Sequence, residues 1–175
     1  MADETKTIKR AIADTGPLLS ALILDYVRNA LQARRASILV SSRLSQHLLG
    51  DERRQELFIE FFDGIPTIIT TAHVIAELQG LQTLRGAYQR EFWLGAMSFL
   101  RMKKLDERLI SLLDMSEKGG LREAVCAMGP TDAGLVELAR QEGEGCTLLT
   151  DDERTLARHA WDLGIDCRLM KNLIL

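Results

Sequence analysis

Thr7-Ile8-Lys9-Arg10-Ala11-Ile12-Ala13-Asp14-Thr15-Gly16-Pro17 runs from a β-branched, apolar stretch through an acid to a Gly-Pro step. Thr7 to Ala13 is predicted to be a strand. A helix is predicted to start at Gly16-Pro17, because proline is tolerated at the first helical position. Asp14 therefore stands where a strand gives way to a helix. Three more acids occupy similar junctions. Glu77 follows the strand Thr67-Ile68-Ile69-Thr70 in Thr71-Ala72-His73-Val74-Ile75-Ala76-Glu77-Leu78, and Asp132 lies in Gly129-Pro130-Thr131-Asp132-Ala133. Asp152 follows the strand Cys146-Thr147-Leu148-Leu149-Thr150, directly after Asp151. In an α/β fold the carboxyl ends of the strands open onto one crevice, so acids at these junctions can meet despite their separation in sequence. Two carboxylates about 5 Å apart repel by roughly 3 kcal/mol at an effective dielectric of about 20, so a group of four calls for a divalent cation.

The remaining chain supplies alternating elements. Leu18, Leu19, Leu22, Val27 and Leu31 mark the apolar side of the first helix. Asp51 is a good N-cap for a helix carrying Leu57, Phe58, Phe61 and Phe62, which should stop at Gly64 before Pro66. Ile38-Leu39-Val40 reads equally as strand or buried helix, and so does Leu105 to Leu113. Val74, Leu78 and Leu81 form a helical stripe bordered by Glu77, and Tyr88 to Met102 is a further helix. After a break at Gly119-Gly120, a helix is predicted from Thr131 or Asp132 to about Gln141, another from Glu153 to Leu163, and a last strand over Cys167 to Met170. Trp93, Trp161 and the helically spaced phenylalanines are expected in the core. This order predicts one α/β domain over residues 1–175, a mainly parallel sheet with helices on both sides. The stretch from about residue 34 to 66 is an extended segment within it.

The 175 residues are 46% hydrophobic and 27% charged, enough for one well-packed core. No apolar run approaches the ~18 residues of a membrane span, and Met1-Ala2-Asp3-Glu4 is acidic where a signal peptide is basic. A soluble, cytoplasmic protein is the expectation. Three cysteines without a CxxC pair fit reduced thiols. The net charge of -3 argues against a passive nucleic-acid coat but leaves a nuclease open. The basic pairs Arg34-Arg35, Arg53-Arg54 and Lys103-Lys104 read individually as solvated helix faces. His47, His73 and His159 lack metal-site spacing, and no Walker A loop, GxGxxG turn or GxSxG elbow is present.

Each acid also has a structural reading. Asp14 suits a turn before a helix, and Glu77 is placed to pair with His73 at i, i+4. Asp132 complements a helix dipole, with Thr131 as the cap. Thr150 and Glu153 have capping-box spacing. Only the four acids together, at successive strand or loop ends of one predicted sheet, point to chemistry.

The segments around these acids resemble the PIN-domain family and are similar to the ribonuclease toxins of bacterial toxin-antitoxin pairs. The likeness is carried by Ile12-Ala13-Asp14-Thr15, Val74-Ile75-Ala76-Glu77-Leu78, Pro130-Thr131-Asp132-Ala133 and Leu148-Leu149-Thr150-Asp151-Asp152, in that order, from about Ile8 to Met170. The resemblance implies a three-layer α/β/α sandwich with a mostly parallel central sheet, and a Mg2+- or Mn2+-dependent endoribonuclease. Asp14, Glu77, Asp132 and Asp152 would be its catalytic and metal-binding acids, with Asp151 competing for the last place and Thr15 and Thr150 in support. It implies an RNA substrate and allows an antitoxin protein and a second copy of the chain as partners. The stretch from Arg34 to Pro66 departs from the compact toxin pattern. Arg85, Arg90, Lys103 and Lys104 are the expected basic rim. A noncatalytic RNA-binding or protein-interaction module is the alternative. A phospho-acceptor domain using Asp14 with Lys171 as counter-charge is a third reading, short of the extra acids that chemistry needs.

Overall fold

Ala11, Ile12 and Ala13 are inaccessible to solvent, as expected of a strand covered on both faces by helices. In the computed structural model, which describes residues 8–29, 51–81, 85–111 and 121–173, they belong to the central strand, β1 (Arg10–Ala13). The chain continues through α1 (Thr15–Asn29), α2 (Glu52–Asp63), β2 (Thr67–Thr71), α3 (Ala72–Leu81), α4 (Gly86–Met102) and β3 (Asp106–Arg108). Then come α5 (Leu121–Met128), α6 (Pro130–Glu142), β4 (Cys146–Thr150), a π-helical turn (Glu153–Ala157), α7 (Arg158–Asp162), β5 (Cys167–Leu169) and α8 (Met170–Leu173).

The five strands are all parallel, in the order β3-β2-β1-β4-β5. The chain moves from β1 to β2 and β3, then crosses back to pair β4 with the other side of β1. Right-handed crossovers place the helices of the outward run on one face and those of the return run on the other. The result is a three-layer α/β/α sandwich whose strand order reverses between β1 and β4. There the crevice of such a sheet opens. Asp14 N–H donates to Leu149 O at 3.0 Å, joining the two carboxyl ends.

Several elements differ from their sequence reading. The helix α1 is buried on nearly every side, including Ser20, Ala21, Ile23, Leu24 and Tyr26, because α2, α3 and α4 pack on it as well as the sheet. Tyr26 meets Phe92 edge to face at 5.7 Å between centroids. Within the ambiguous Leu105–Leu113 stretch, of which the structure describes residues 105–111, Asp106–Arg108 form β3, whose polar sequence suits an edge strand. Before α6 stands α5, which no predicted element covered. The single helix expected over Glu153–Leu163 divides into the π turn and α7, with Ala157 N–H donating back five residues to Asp152 O at 2.9 Å. Trp161 is 46% exposed rather than in the core, its Nε1 donating to Cys167 O, and Trp93 is half-buried. Leu31, Arg34-Arg35, Ile38-Leu39-Val40, His47 and Gly119-Gly120 lie outside the described residues.

Helix α2 follows its sequence reading closely. Asp51 accepts the Arg54 N–H at 3.1 Å, and the helix closes at Gly64. Phe58 and Phe62, both 1% exposed, stack against each other at 5.7 Å. Among the described residues no helix is long and apolar enough to cross a membrane. Phe62→Ala should lower unfolding stability by about 3–5 kcal/mol, and Phe61→Ala, half-buried, by less than half as much. Urea denaturation read by circular dichroism measures both.

Candidate active site

The acid that ends β1 sits in a threonine-lined niche. Asp14, 9% exposed, accepts the Thr150 hydroxyl at 2.6 Å on Oδ2 and the Thr15 N–H at 2.5 Å on Oδ1. Thr150 ends β4, so this bond spans the switch point. Its hydroxyl also accepts the Asp152 N–H at 3.0 Å, linking the two late residues to the first acid. Beneath Asp14, Thr70 at the end of β2 donates to Ala13 O at 2.9 Å.

Glu77 projects from α3, which touches both α1 and α6. Its Oε2 accepts the Thr15 hydroxyl at 2.8 Å and its Oε1 the Thr131 hydroxyl at 2.8 Å. One carboxylate thus ties the first turns of two helices together across the mouth of the sheet. The expected pairing with His73 does not form. His73 Nε2 meets Ile110 O at 3.2 Å instead. Nor does Thr131 cap its helix: Gly129 is the N-cap, without a side-chain bond, and Thr131 lies inside the first turn facing Glu77. No sequence signal singled out Thr131 for that role, because its hydroxyl looks like a cap until α3 is placed beside it.

Asp132 stands in the first turn of α6. Burial, then Asp14, Asp152 and Glu77, raise its carboxyl to about 7. Asp14 is raised to about 6, mainly by burial, with Glu77 and Asp151 adding to the rise and its hydrogen bonds to Thr150 and Thr15 opposing it. These mutual influences bring Asp14, Glu77, Asp132 and Asp152 into one electrostatic neighbourhood, although they arrive from four separate parts of the fold.

Asp151 and Asp152 have different surroundings. Asp152 caps the π turn, its oxygens accepting the N–H groups of Arg154, Thr155 and Leu156 at 3.0, 3.1 and 3.3 Å, and it acts electrostatically on Asp132. Asp151 lies over the start of α1, where a Cβ at Gly16 would come within 3.5 Å of its Oδ2, and it acts on Asp14. The Thr150/Glu153 capping box is replaced by the Asp152 cap. Glu153 instead pairs with Lys171, which removes Lys171 as a counter-charge for Asp14.

The expected basic rim is redistributed. Lys103 pairs with Asp63 and lies 5.9 Å from the Phe99 ring centroid. Lys103 and Lys104 immediately precede β3, at the amino end of the parallel strands and so opposite the acids. Arg85 and Arg90 are exposed near the start of α4.

Every acid in this group offers oxygen donors, the chemistry preferred by Mg2+ and Mn2+. Among the described residues no three His, Cys, Asp or Glu side chains form a ready-made ligand set. A hydrated Mg2+ takes only one or two carboxylates directly and keeps several waters. No protein-family model matches the chain, and no curated protein is significantly similar to it.

The raised carboxyls carry a pH signature. Asp14 and Asp132 ionise at about 6 and 7 when folded, against an ordinary value of 3.8 for each. Across that interval the folded protein holds more protons than the unfolded chain. Their contribution to stability is complete below pH 3.8 and is lost as pH rises through about 6 and 7. Without divalent cations, the urea midpoint should therefore contain a component that falls between about pH 4 and 7. Asp132→Asn should reduce that fall and stabilise the protein at pH 8 by about 1–2 kcal/mol, discounting the shift for solvent screening. Urea titrations in EDTA at several pH values, comparing the two proteins, read this directly.

Proposed function

We propose that this chain is a metal-dependent endoribonuclease of PIN type, hydrolysing RNA phosphodiester bonds at its four-carboxylate site. The observation that carries the reading is Asp132, whose carboxyl is raised by burial and by three other acids from distant parts of the chain. Clustered negative charge left uncompensated at the switch point of a parallel sheet is costly, and perturbed acids of this kind concentrate at functional sites. The ordered likeness of the acid-bearing segments to the PIN family supports the same reading.

Asp14 and Asp132 are the acids assigned to hold the ion directly, while Glu77 and Asp152 act through water. When bound, Mg2+ or Mn2+ supplies an acidified water and neutralises charge on the phosphoryl oxygens. Thr150 and the Thr15 N–H fix the Asp14 carboxylate, and Thr15 and Thr131 fix that of Glu77. The acids are thus positioned before substrate arrives, which lowers the reorganisation needed at the reacting phosphate. The backbone bonds to Asp152 leave it the least free of the four to change partners.

We place the protein in the cytoplasm, in keeping with its free thiols, of which Cys146 and Cys167 are buried. A ribonuclease toxin held by an antitoxin protein is the narrower form of the proposal. The second reading, a noncatalytic RNA-binding or interaction module, draws on the three backbone bonds that engage Asp152 as a cap.

Asp14→Asn and Asp132→Asn each remove a charge with almost no change in volume. Either should reduce cleavage of a mixed RNA pool by roughly a hundredfold or more while retaining the fold. EDTA should abolish cleavage, and Mn2+ or Mg2+ should restore it. Cleavage at the parent rate in either variant, or after complete chelation, excludes the mechanism. Calorimetric titration with Mn2+ separates the two readings, since a scaffold has no need of a cation at the acids.

A further inference from the structure

The acid crevice repels the phosphates of its proposed substrate, and the chain as a whole carries a net charge of -3. A polyanion reaching the acids needs a local guide of opposite charge. Directly after Asp152, the π turn and α7 turn Leu156, Ala157 and Ala160 inward and leave Arg154, Thr155, Arg158 and Trp161 exposed. Arg154 and Arg158 are four residues apart and Trp161 three further on, a spacing that keeps them on one side of a helix. This side starts at the site itself, because Asp152 accepts the N–H of Arg154.

With Arg90, Arg101, Lys104 and Arg122, the two arginines belong to the exposed cations that meet no carboxylate among the described residues. Arg10, Lys103, Arg108 and Arg168 are engaged by carboxylates, whereas Arg154 and Arg158 make no ion pair among the described residues. Glu153 beside them is neutralised by Lys171, leaving Asp162 as the acid at the far end of the face. Trp161 is held by its Nε1 bond to Cys167 O at 2.8 Å while the indole remains 46% exposed. A tethered, half-exposed indole next to unpaired arginines has the makings of a base-stacking platform beside phosphate contacts.

We propose that the outer face of the π turn and α7 is the path by which single-stranded RNA enters the acid site. Arg154 and Arg158 hold phosphates, and the Trp161 indole stacks on an unpaired base. All three are positioning residues, since none reaches the reacting atoms. The inference deepens the ribonuclease reading by naming the form of RNA and its route, but its test is binding and needs no turnover.

The test is fluorescence anisotropy with a short labelled single-stranded RNA in Mg2+ buffer, on an Asp14→Asn background. Adding Arg154→Ala and Arg158→Ala should weaken binding roughly tenfold and reduce the slope of log affinity against log salt by about 1.4, the release expected for two phosphate contacts on a single strand. Trp161→Ala should weaken binding roughly fivefold or more, and Trp161→Phe, which keeps a ring, should recover most of it. A duplex of equal length should bind more weakly than the single strand. Arg101→Ala with Lys104→Ala, at the amino end of the strands, should leave affinity and salt slope unchanged. Unaltered affinity and slope in the Arg154/Arg158 variant overturn the path, as does equal preference for duplex. If the parent protein cleaves RNA yet that variant binds normally, the path fails and the ribonuclease reading stands. If the variant loses binding while the parent never cleaves RNA, the path stands and the ribonuclease reading fails.

Discussion

The hydrogen bond from Thr150 to Asp14 joins the ends of β1 and β4 where the strand order reverses. A parallel sheet covered on both faces has almost nowhere to place a charge. At the reversal point the helices that follow adjacent strands leave in opposite directions, and polar side chains can gather there without breaking the apolar layers. Asp14 uses that gap. It is nearly as buried as the core around it, and hydrogen bonds to a hydroxyl and a backbone N–H offset part of the desolvation.

Glu77 extends the same principle from the sheet to the helices. The outward and return crossovers place α1 and α6 in different layers, and α3 touches both. The two oxygens of Glu77 bind a threonine in the first turn of each. The acid group is therefore built into the fold, and the threonines set its geometry. Its electrostatics oppose that construction, because Asp14 and Asp132 are shifted toward protonation by burial and by their neighbours. A protein that keeps such a repulsive group gives up stability for it, which is the balance common at binding and catalytic sites.

Perturbation alone does not mark such a site. Asp25 is also raised by burial, with Arg28 and Lys103 among its charged neighbours, yet it sits on α1 about 16 Å along the helix from Asp14. Cys146 and Cys167 are pushed up to about 11 and 12, chiefly by burial in the sheet. Asp132 differs from these in having three other carboxylates, Asp14, Asp152 and Glu77, among the causes of its shift.

Local sequence carried the elements whose signals are short-range. The strand Cys146–Thr150 matches its apolar run, and α2 matches its Asp51 cap and Gly64 stop, because capping and β-branching act within a few residues. It also placed Asp14, Asp132 and Asp152 at element junctions, while Glu77 stands inside α3. Tertiary structure decided what each polar group binds. Glu77 chose two threonines over His73, Thr131 turned from cap to donor, and Asp152 became the cap of a π turn while Asp151 took the position over Gly16. Thr150 and Asp14, joined by a hydrogen bond, lie 136 residues apart. No periodicity within one segment records such a contact, because it exists only after the strands have been ordered and their crossovers laid on opposite faces.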